Sequence, residues 1–350
     1  MTHKSIRIDH RSIGLDHPPY VIAEMSGNHR GDIGVALSLM EAAKKAGADA
    51  IKLQTYTADT ITLDHDGPGF VIEGGIWDGK RLYDLYQEAS TPWDWHGQLF
   101  AKGRELGITV FSSPFDFTAV DFLETLDTPA YKIASFELND IPLIEKVAAT
   151  NKPLIMSTGM SDETTIAEAL DAARQAGCED IVLLHCISSY PTPLSQANLN
   201  GIRLLAERFQ VPVGLSDHTL GTMAPTLSIA LGASVIEKHF TTARADGGPD
   251  ADFSLEPDEL HEVCQNCRQA WEALGSGRIG CGNSEKPSQT YRRSLYAVAD
   301  IAKGDIFSTD NIRSIRPSFG LAPKYLPKIL GRKAQTDIVR GTPLSWEHVD

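Results

Sequence analysis

Eight short apolar stretches rich in β-forming residues alternate with amphipathic helical stretches up to about residue 240 of the 350-residue chain. The predicted strands are residues 21–26, 50–56, 109–115, 130–135, 153–159, 181–187, 211–218 and 234–240. Predicted helices include 33–46, 93–106, 141–150, 162–176 and 199–208, and several predicted helices end at a glycine, as at Gly47, Gly107 and Gly177. Eight successive β/α units predict a TIM barrel, an α/β fold. A doubly wound sheet is the alternative, but no glycine-rich dinucleotide turn follows the first strand.

Two regions depart from this alternation. Residues 57–90 form a long connection between predicted strands two and three, and we expect it to cover the catalytic face, because long connections usually act as lids or binding loops. After about residue 275, short strand-like pieces separated by turns replace the β/α units. We therefore predict a catalytic barrel over residues 1–279, a linker over 280–290 and a small C-terminal domain over 291–350.

Composition limits which partners the protein can bind and indicates its cellular compartment. The formal net charge of −14, from 46 acidic and 32 basic residues, disfavours binding to nucleic acid or to acidic membranes. No run reaches the ~18–20 apolar residues of a membrane span, and residues 1–10 lack the apolar core of a signal peptide. The five cysteines do not suggest a disulfide framework, and we interpret the CxxC pair Cys264 and Cys267 as structural. These features predict a cytoplasmic protein.

Polar residues stand at the end of every predicted strand, where a TIM barrel forms its active site. Two of them are histidines, since His218 ends strand seven and His239 ends strand eight. Imidazoles at neighbouring strand ends can converge on one divalent metal ion, although a single histidine is more often a core or hydrogen-bonding residue. Their adjacent positions favour a shared metal site.

Lys52 and Lys132 interrupt strands that should be buried, and lysine is almost never fully buried without a partner. One interpretation is structural, with each lysine paired to a carboxylate such as Glu24 or Glu237. The other is that the two ammonium groups and the serine hydroxyls of neighbouring strands bind a phosphate. Four carboxylates are available for sugar hydroxyls or for proton transfer: Glu24, Glu137, Glu237 and Asp250. The pattern predicts chemistry on a small phosphorylated substrate and a carbonyl polarised by a metal.

Several motifs match one known family. They are Lys52-Leu53-Gln54-Thr55, Tyr131-Lys132-Ile133-Ala134-Ser135, Ser157-Thr158-Gly159-Met160, Leu215-Ser216-Asp217-His218-Thr219, Glu237-Lys238-His239-Phe240, Gly248-Pro249-Asp250 and Arg292-Arg293-Ser294-Leu295. Over essentially its whole length the chain resembles the sialic acid synthase family, whose members condense phosphoenolpyruvate with a sugar to give nonulosonic acids. The resemblance implies a TIM barrel followed by an antifreeze-like (SAF, β-clip) domain.

Within this family, the chain most resembles the synthases of pseudaminic acid, in residues 23–26, 79–86, 91–96, 187–191 and 246–250. N-acetylneuraminate synthases usually carry a Val-Asn-His-Asn-Gly type turn after strand one and an asparagine where Ser188 stands. This chain has Ser26-Gly27-Asn28-His29-Arg30 and departs from that pattern. The implied sugar is open-chain 2,4-diacetamido-2,4,6-trideoxyaltrose. The alternative is another N-acetylated sugar, converted to N-acetylneuraminate or legionaminate.

The resemblance also implies roles for single residues. His218 and His239 would hold a divalent cation, Mn²⁺ in first place, with Mg²⁺ and Co²⁺ as alternatives. Phosphoenolpyruvate would be held by two lysines and five serines: Lys52, Lys132, Ser113, Ser135, Ser157, Ser188 and Ser216. The sugar would face Glu24, Gln54, Tyr190 and Asp250. Arg316 would reach the barrel of the other subunit in a domain-swapped homodimer.

In the implied reaction, C3 of phosphoenolpyruvate attacks the aldehyde carbon of the sugar, water adds at C2, and phosphate leaves with cleavage of its C–O bond. Glu137 is predicted to handle the proton of the water. Because Glu137 is expected beside two lysines, its pKa is predicted to be depressed, which suits a base. The predicted catalytic residues are Glu24, Glu137, His218, His239 and Arg316.

Two other functions stay open from the sequence. One is an aldolase of the same fold that forms a Schiff base at Lys52 or Lys132. The other is a sugar-binding protein that has lost the chemistry, which the intact set of histidines, lysines and serines disfavours.

Overall fold

A computed structural model describes residues 5–350 and contains a closed barrel of eight parallel strands, as predicted. An antiparallel hairpin of β1 (Ile6–Ile8) and β2 (Arg11–Ile13) precedes it. The barrel strands are β3 (Tyr20–Glu24), β4 (Ala50–Thr55), β5 (Thr109–Pro114), β6 (Tyr131–Ile133), β7 (Leu154–Ser157), β8 (Ile181–Cys186), β9 (Val213–Asp217) and β10 (Ala233–His239). Pairing of β10 with β3 closes the ring and sets His239 opposite Glu24. Each of the eight barrel strands overlaps a predicted one, so the predicted TIM barrel is confirmed.

Helices connect these strands, and aspartate caps fix where several of them begin. The helices of this region are α1 (Ile33–Ala46), α2 (Ala58–Ile61), α3 (Leu82–Ala89), α4 (His96–Leu106), α5 (Phe117–Thr125), α6 (Ile141–Ala148), α7 (Glu163–Gln175), α8 (Gly201–Phe209), α9 (Met223–Ala230) and α10 (Pro257–Leu274). Asp32, Asp116, Asp140 and Asp162 each accept a hydrogen bond from a backbone N–H of the first turn. The predicted helices therefore occur with ends shifted by at most a few residues.

The inside of the barrel changes character from one end to the other. Side chains alternate between the two faces of a strand, so every second residue points inward. At the amino ends these residues are apolar and pack with the hairpin in one cluster: Ile6, Ile8, Ile13, Tyr20, Ile22, Ala50, Phe111, Ala130, Ile155, Val182, Leu184 and Val235. Two positions further along, the inward residues are polar, as in Glu24 after Ile22 and Lys132 after Ala130. The barrel interior is thus apolar at the amino ends of the strands and polar at their carboxyl ends, and we call this polar part the polar cup.

The described chain divides into two compact units that meet between Gly275 and Ser276. The second unit contains the antiparallel pair β11 (Ser294–Ala297) and β12 (Ile312–Ile315), the short helix α11 (Leu326–Ile329) and its own apolar core around Phe307. Residues 280–290 overlap an exposed 3₁₀ helix, Asn283–Tyr291. The domain boundaries drawn from the sequence stay a prediction.

Of residues 1–10, for which no signal peptide is predicted, residues 1–4 lie outside the described range. No helix within residues 5–350 is both long and apolar enough to cross a lipid bilayer. Cys264 and Cys267 are buried on α10, in agreement with a structural role.

Candidate active site

A cavity of about 510 Å³ opens at the carboxyl ends of the barrel strands. Its lining includes eleven of the residues predicted from the sequence: Lys52, Gln54, Lys132, Ser135, Glu137, Ser157, Tyr190, Ser216, His218, His239 and Asp250. Glu24, Ser113 and Ser188 do not line it directly but contact residues that do. The barrel therefore brings together all the predicted site residues that lie on it.

A buried cluster of two lysines and two carboxylates forms the floor of the cup. Nζ of Lys52 lies 2.8 Å from Oε2 of Glu24 and 3.6 Å from Oε1 of Glu237, and it donates to Oγ of Ser113 at 3.3 Å. Nζ of Lys132 lies 3.7 Å from the same Oε1 of Glu237. All five residues are at most 5% exposed. The paired arrangement considered from the sequence is thus present, and it still leaves Lys132 facing the cavity.

The charges in this cluster are unequally balanced. Burial raises the pKa of Glu24 to about 7, against the opposing effect of Lys52. Burial also acts to raise the pKa of Glu237, but Lys132 and Lys52 outweigh it and lower the pKa, and Ser216 donates a hydrogen bond to Oε1 at 3.2 Å. Burial lowers the pKa of Lys132, whereas Glu237 and Glu24 outweigh burial at Lys52 and raise its pKa. Lys132 is therefore the less compensated ammonium group.

Serine hydroxyls form a cradle beside these lysines. Oγ of Ser157 is buried without a hydrogen-bond partner, although it lines the cavity. Oγ of Ser135 accepts from the backbone N–H of Gly159 at 3.1 Å. A methyl group at position 159 would collide with the hydroxyls of Ser135 and Ser188, so glycine lets the two serines approach. The cradle has unmet hydrogen-bonding capacity, as an anion site requires.

His218 and His239 face each other, with 5.4 Å between their ring centroids. Nδ1 of His218 donates to the carbonyl oxygen of Ile187 at 3.0 Å, so its Nε2 is the atom left for a ligand. Nδ1 of His239 is buried without a hydrogen-bond partner and lies 3.7 Å from Oδ2 of Asp250. Within residues 5–350 no cluster of three or more potential metal ligands is present. The orphaned nitrogen and the acidic neighbour nevertheless fit a two-histidine metal site completed by substrate or water.

A hydrogen-bonded chain of polar groups borders the histidines. Nε2 of Gln54 donates to Oε1 of Glu24 at 2.9 Å and to Oγ of Ser26 at 3.1 Å. Ser26 in turn donates to the carboxylate of Asp250. Burial raises the pKa of Asp250, against this hydrogen bond. One network therefore connects three residues predicted to face the sugar.

The long connection 57–90 supplies a wall of the cavity, as expected. Seven of its residues line the cavity: Ile61, Ile72, Trp77, Leu82, Leu85, Tyr86 and Ala89. Nε1 of Trp77 donates to the carbonyl oxygen of Pro249 at 2.8 Å. The indole lies 5.5 Å from the ring of Tyr190, which lies 4.4 Å from that of His218. The segment is thus tied to the site through aromatic contacts.

The predicted pKa of Glu137 is wrong. Burial raises it to about 7, because desolvation outweighs the attraction of Lys132. Its Oε2 atom is buried without a hydrogen-bond partner. The carboxylate whose pKa the two lysines lower is instead Glu237, which sits between them.

The sequence offered Glu237 as a partner of a buried lysine and as one of four carboxylates for sugar hydroxyls or proton transfer, whereas it gave no role to Cys186 and no individual role to Trp77. The period-two pattern could have found Cys186, because it follows the inward residue Leu184 on β8 by two positions. Its Sγ atom lies 3.9 Å from Nδ1 of His218 and lines the cavity. Trp77 had no such signal, since it lies in an irregular connection.

Arg316 belongs to the second compact unit of the chain, residues 276–350. It is exposed and follows β12 directly. Its predicted role at the barrel of another subunit stays a prediction.

Comparison with known proteins now identifies the family. Residues 39–279 match the model of the NeuB family, and residues 292–350 match the SAF domain. The chain belongs to the NeuB family. The predicted sialic acid synthase family and its two-domain fold are therefore confirmed, and the chain is an enzyme of this family.

Individual relatives extend along nearly the whole chain. A pseudaminic acid synthase from Campylobacter jejuni is 46% identical over 95% of this chain and 97% of its own length. An N,N'-diacetyllegionaminic acid synthase from Legionella pneumophila is 36% identical over 95% of this chain and 94% of its own. A crystal structure of N-acetylneuraminic acid synthetase from Leptospira borgpetersenii, in complex with citrate, has a TM-score of 0.74 and 31% identity, covering 83% of this chain and 96% of that one.

Proposed function

We propose that this enzyme is a carbon–carbon bond-forming transferase that makes pseudaminic acid. It condenses phosphoenolpyruvate, open-chain 2,4-diacetamido-2,4,6-trideoxyaltrose and water to a nine-carbon nonulosonic acid and phosphate. The observation that carries the proposal is that two buried lysines and two histidines open onto one cavity. The choice of sugar is supported by the higher identity to the pseudaminic acid synthase than to the legionaminic acid synthase, 46% against 36%.

Phosphoenolpyruvate binds at the lysine and serine end of the cavity. Lys132 and Lys52 neutralise its phosphate, and the hydroxyls of Ser135, Ser157 and Ser188 donate hydrogen bonds to it. Ser113 lies behind the lining and accepts from Lys52, whereas Ser216 lines the cavity and donates to Glu237. The free hydroxyl of Ser157 and the weakly compensated Lys132 support this orientation.

His218 and His239 hold a divalent cation, for which we propose Mn²⁺ with Mg²⁺ and Co²⁺ as alternatives. When bound, the cation supplies Lewis acidity for the sugar aldehyde. The chain's own residues orient the sugar: Glu24, Gln54 and Asp250 accept from or donate to its hydroxyl and amide groups, and Tyr190 packs beside His218.

The proposed chemistry forms one carbon–carbon bond and one carbon–oxygen bond from water, and it breaks the carbon–oxygen bond to phosphate. C3 of phosphoenolpyruvate attacks the aldehyde carbon, and the aldehyde oxygen takes up a proton. Water adds at C2, where positive charge has developed, and loses one proton. The bond between C2 and the phosphate oxygen then breaks, the new hydroxyl group loses its proton to become the C2 carbonyl, and inorganic phosphate leaves. With a pKa raised to about 7, Glu137 can accept the water proton and release it at neutral pH.

We further propose that the enzyme works as a domain-swapped homodimer in the cytoplasm, where phosphoenolpyruvate is available. Arg316 from one subunit then contributes to the barrel of the other, as the family resemblance implies. Arg316→Ala should lower kcat/KM while the melting temperature stays unchanged. Unchanged kcat/KM would remove Arg316 from the catalytic residues.

The activity is tested by phosphate release from phosphoenolpyruvate with Mn²⁺ and a panel of sugars. The panel contains 2,4-diacetamido-2,4,6-trideoxyaltrose, its isomers and N-acetylmannosamine. We expect the highest kcat/KM with the altrose derivative. A higher value with an isomer or with N-acetylmannosamine would favour legionaminate or N-acetylneuraminate instead, and no phosphate release with any sugar would refute a synthase.

A further inference from the structure

The cavity has two chemically different parts. The barrel strands supply its charged and hydroxyl groups, which lie at the polar cup. The connection 57–90 supplies no charged lining residue; four of its aliphatic side chains, Ile61, Ile72, Leu82 and Leu85, form what we call the aliphatic wall. Several charged residues of this connection pair with one another away from the cavity lining, as in the 2.8 Å contact of Arg81 with Asp64.

Several contacts hold the aliphatic wall in place. The backbone around Ile72 forms a short antiparallel hairpin in which Val71 bridges Arg81. Trp77 ties this hairpin to Pro249, as described above. A methyl group at Gly27 would lie 3.0 Å from Cα and Cβ of Ala89, so α3 approaches the turn after β3 as closely as only glycine permits. These contacts fix the position of the wall relative to the turn after β3 and to Pro249.

We propose that the aliphatic wall selects a sugar whose terminal carbon is a methyl group, in other words a 6-deoxy sugar. The proposal rests on the proposed function and adds that the cavity recognises the terminal methyl group of the sugar. The aldehyde end of the sugar lies at the polar cup, which leaves its other end for the wall. A 6-hydroxyl group placed against the wall would leave water without gaining a hydrogen bond, whereas a methyl group gains apolar contact.

An apolar wall can give only a moderate difference in kcat/KM between the two sugars. An apolar pocket rejects an added hydroxyl group by at most about 100-fold, because no polar group of the protein is left unpaired by the wrong substrate. We therefore expect the wild-type enzyme to prefer the 6-deoxy sugar by about 10- to 100-fold in kcat/KM.

The test compares two sugars that differ by one oxygen atom, 2,4-diacetamido-2,4,6-trideoxyaltrose and its 6-hydroxy counterpart. Leu82→Gln places an amide at the wall and should reduce the preference at least about threefold, by raising kcat/KM for the 6-hydroxy sugar. Ile72→Thr, a smaller change, tests the same wall if Leu82→Gln does not fold. Leu63→Gln is the matched control, because Leu63 lies on the same connection, is 64% exposed and is absent from the cavity lining.

The outcomes separate the inference from the function on which it rests. The selective role of the aliphatic wall is refuted if the wild-type enzyme prefers the 6-deoxy sugar by less than about tenfold in kcat/KM. It is also refuted if both wall variants fold and keep the wild-type ratio of the two kcat/KM values. Neither result contradicts the proposed synthase activity. The same loss of preference in Leu63→Gln also refutes the selective role of the wall, since that change does not touch the wall. No turnover of either sugar by the wild-type enzyme refutes the proposed function, and the inference with it.

Discussion

Glu237 and Lys238 are neighbours on β10 and both are buried, yet they belong to different kinds of ion pair. Nζ of Lys238 lies 2.7 Å from Oδ2 of Asp217 and also donates to the carbonyl oxygen of Thr219. The backbone N–H and the hydroxyl of Thr219 bind the same carboxylate, each at 3.0 Å. Neither Lys238 nor Asp217 lines the cavity. We call this a closed pair, because Lys238 and Asp217 bind each other and Thr219 and neither faces the cavity.

Glu237 makes longer and less complete contacts. Its distances to the two lysines are 3.6 and 3.7 Å, its Oε2 atom has no hydrogen-bond partner, and it lines the cavity. Because successive strand residues point to opposite faces, one step along β10 separates a structural pair from a site pair. Buried charge alone therefore does not mark a site; incomplete pairing next to a cavity does.

The largest expected effect comes from the metal corner of the site. His239→Ala should abolish both binding of the divalent cation and turnover, because only two histidines are proposed to hold the ion. Isothermal titration with Mn²⁺ measures the first and phosphate release the second. His10→Ala, at an exposed histidine, should change neither. Unchanged Mn²⁺ stoichiometry in His239→Ala would remove this residue from the metal ligands.

Lys238→Met should act on stability. Removing the ammonium group leaves the buried Asp217 carboxylate with its hydrogen bonds from Thr219 but without a countercharge, which costs about 3–5 kcal/mol in the free energy of unfolding. Urea denaturation measures this loss. The double variant Lys238→Met/Asp217→Asn should regain part of the stability, since the orphaned charge is gone. Wild-type stability in Lys238→Met would contradict a structural role for this pair.

Lys132→Met should act on activity instead. We expect kcat/KM to fall by about 100- to 1,000-fold, as when one charge-stabilising donor is removed from an active site. The loss of stability should be smaller than for Lys238→Met, because Lys52 still compensates Glu237. Affinity for phosphoenolpyruvate should weaken in parallel. If Lys132→Met and Lys238→Met both lowered only stability and left kcat/KM unchanged, the contact of Lys132 with Glu237 would be structural, as that of Lys238 with Asp217 is.

The smallest expected effect is the pH dependence contributed by Glu137. Its pKa is about 7 when folded and 4.5 in the reference state, so the folded protein binds more protons between these pH values and loses stability as pH rises through them. Lys132, Lys52 and Asp140 act on this carboxyl group, and Tyr86 also faces it. By linkage, Glu137→Gln should gain up to about 3 kcal/mol over wild type between pH 4 and pH 8.

Urea denaturation at both pH values measures this gain. Asp140→Asn is the control, because that group makes only a minor contribution to the same carboxyl. An equal difference between Glu137→Gln and wild type at pH 4 and at pH 8 would mean that Glu137 keeps an ordinary pKa.

Much of the fold and of the cup followed from the sequence, because both rest on local periodicity. The eight strands and the residues at their ends, such as Lys52, Lys132 and His239, are fixed once the strands are located. The pKa of Glu137 did not follow, because it depends on how deeply one side chain is buried. The partners of Lys238 and the place of Trp77 also depend on tertiary contacts that no periodic pattern encodes.

The proposed condensation is tested with phosphoenolpyruvate labelled with ¹⁸O at its bridging oxygen, together with the altrose derivative and Mn²⁺. We expect the label to leave in inorganic phosphate, because the bond broken is that between C2 and the bridging oxygen. Mass spectrometry of the phosphate and of the nonulosonic acid locates the label. Label retained in the sugar product would contradict condensation with C–O cleavage at this site.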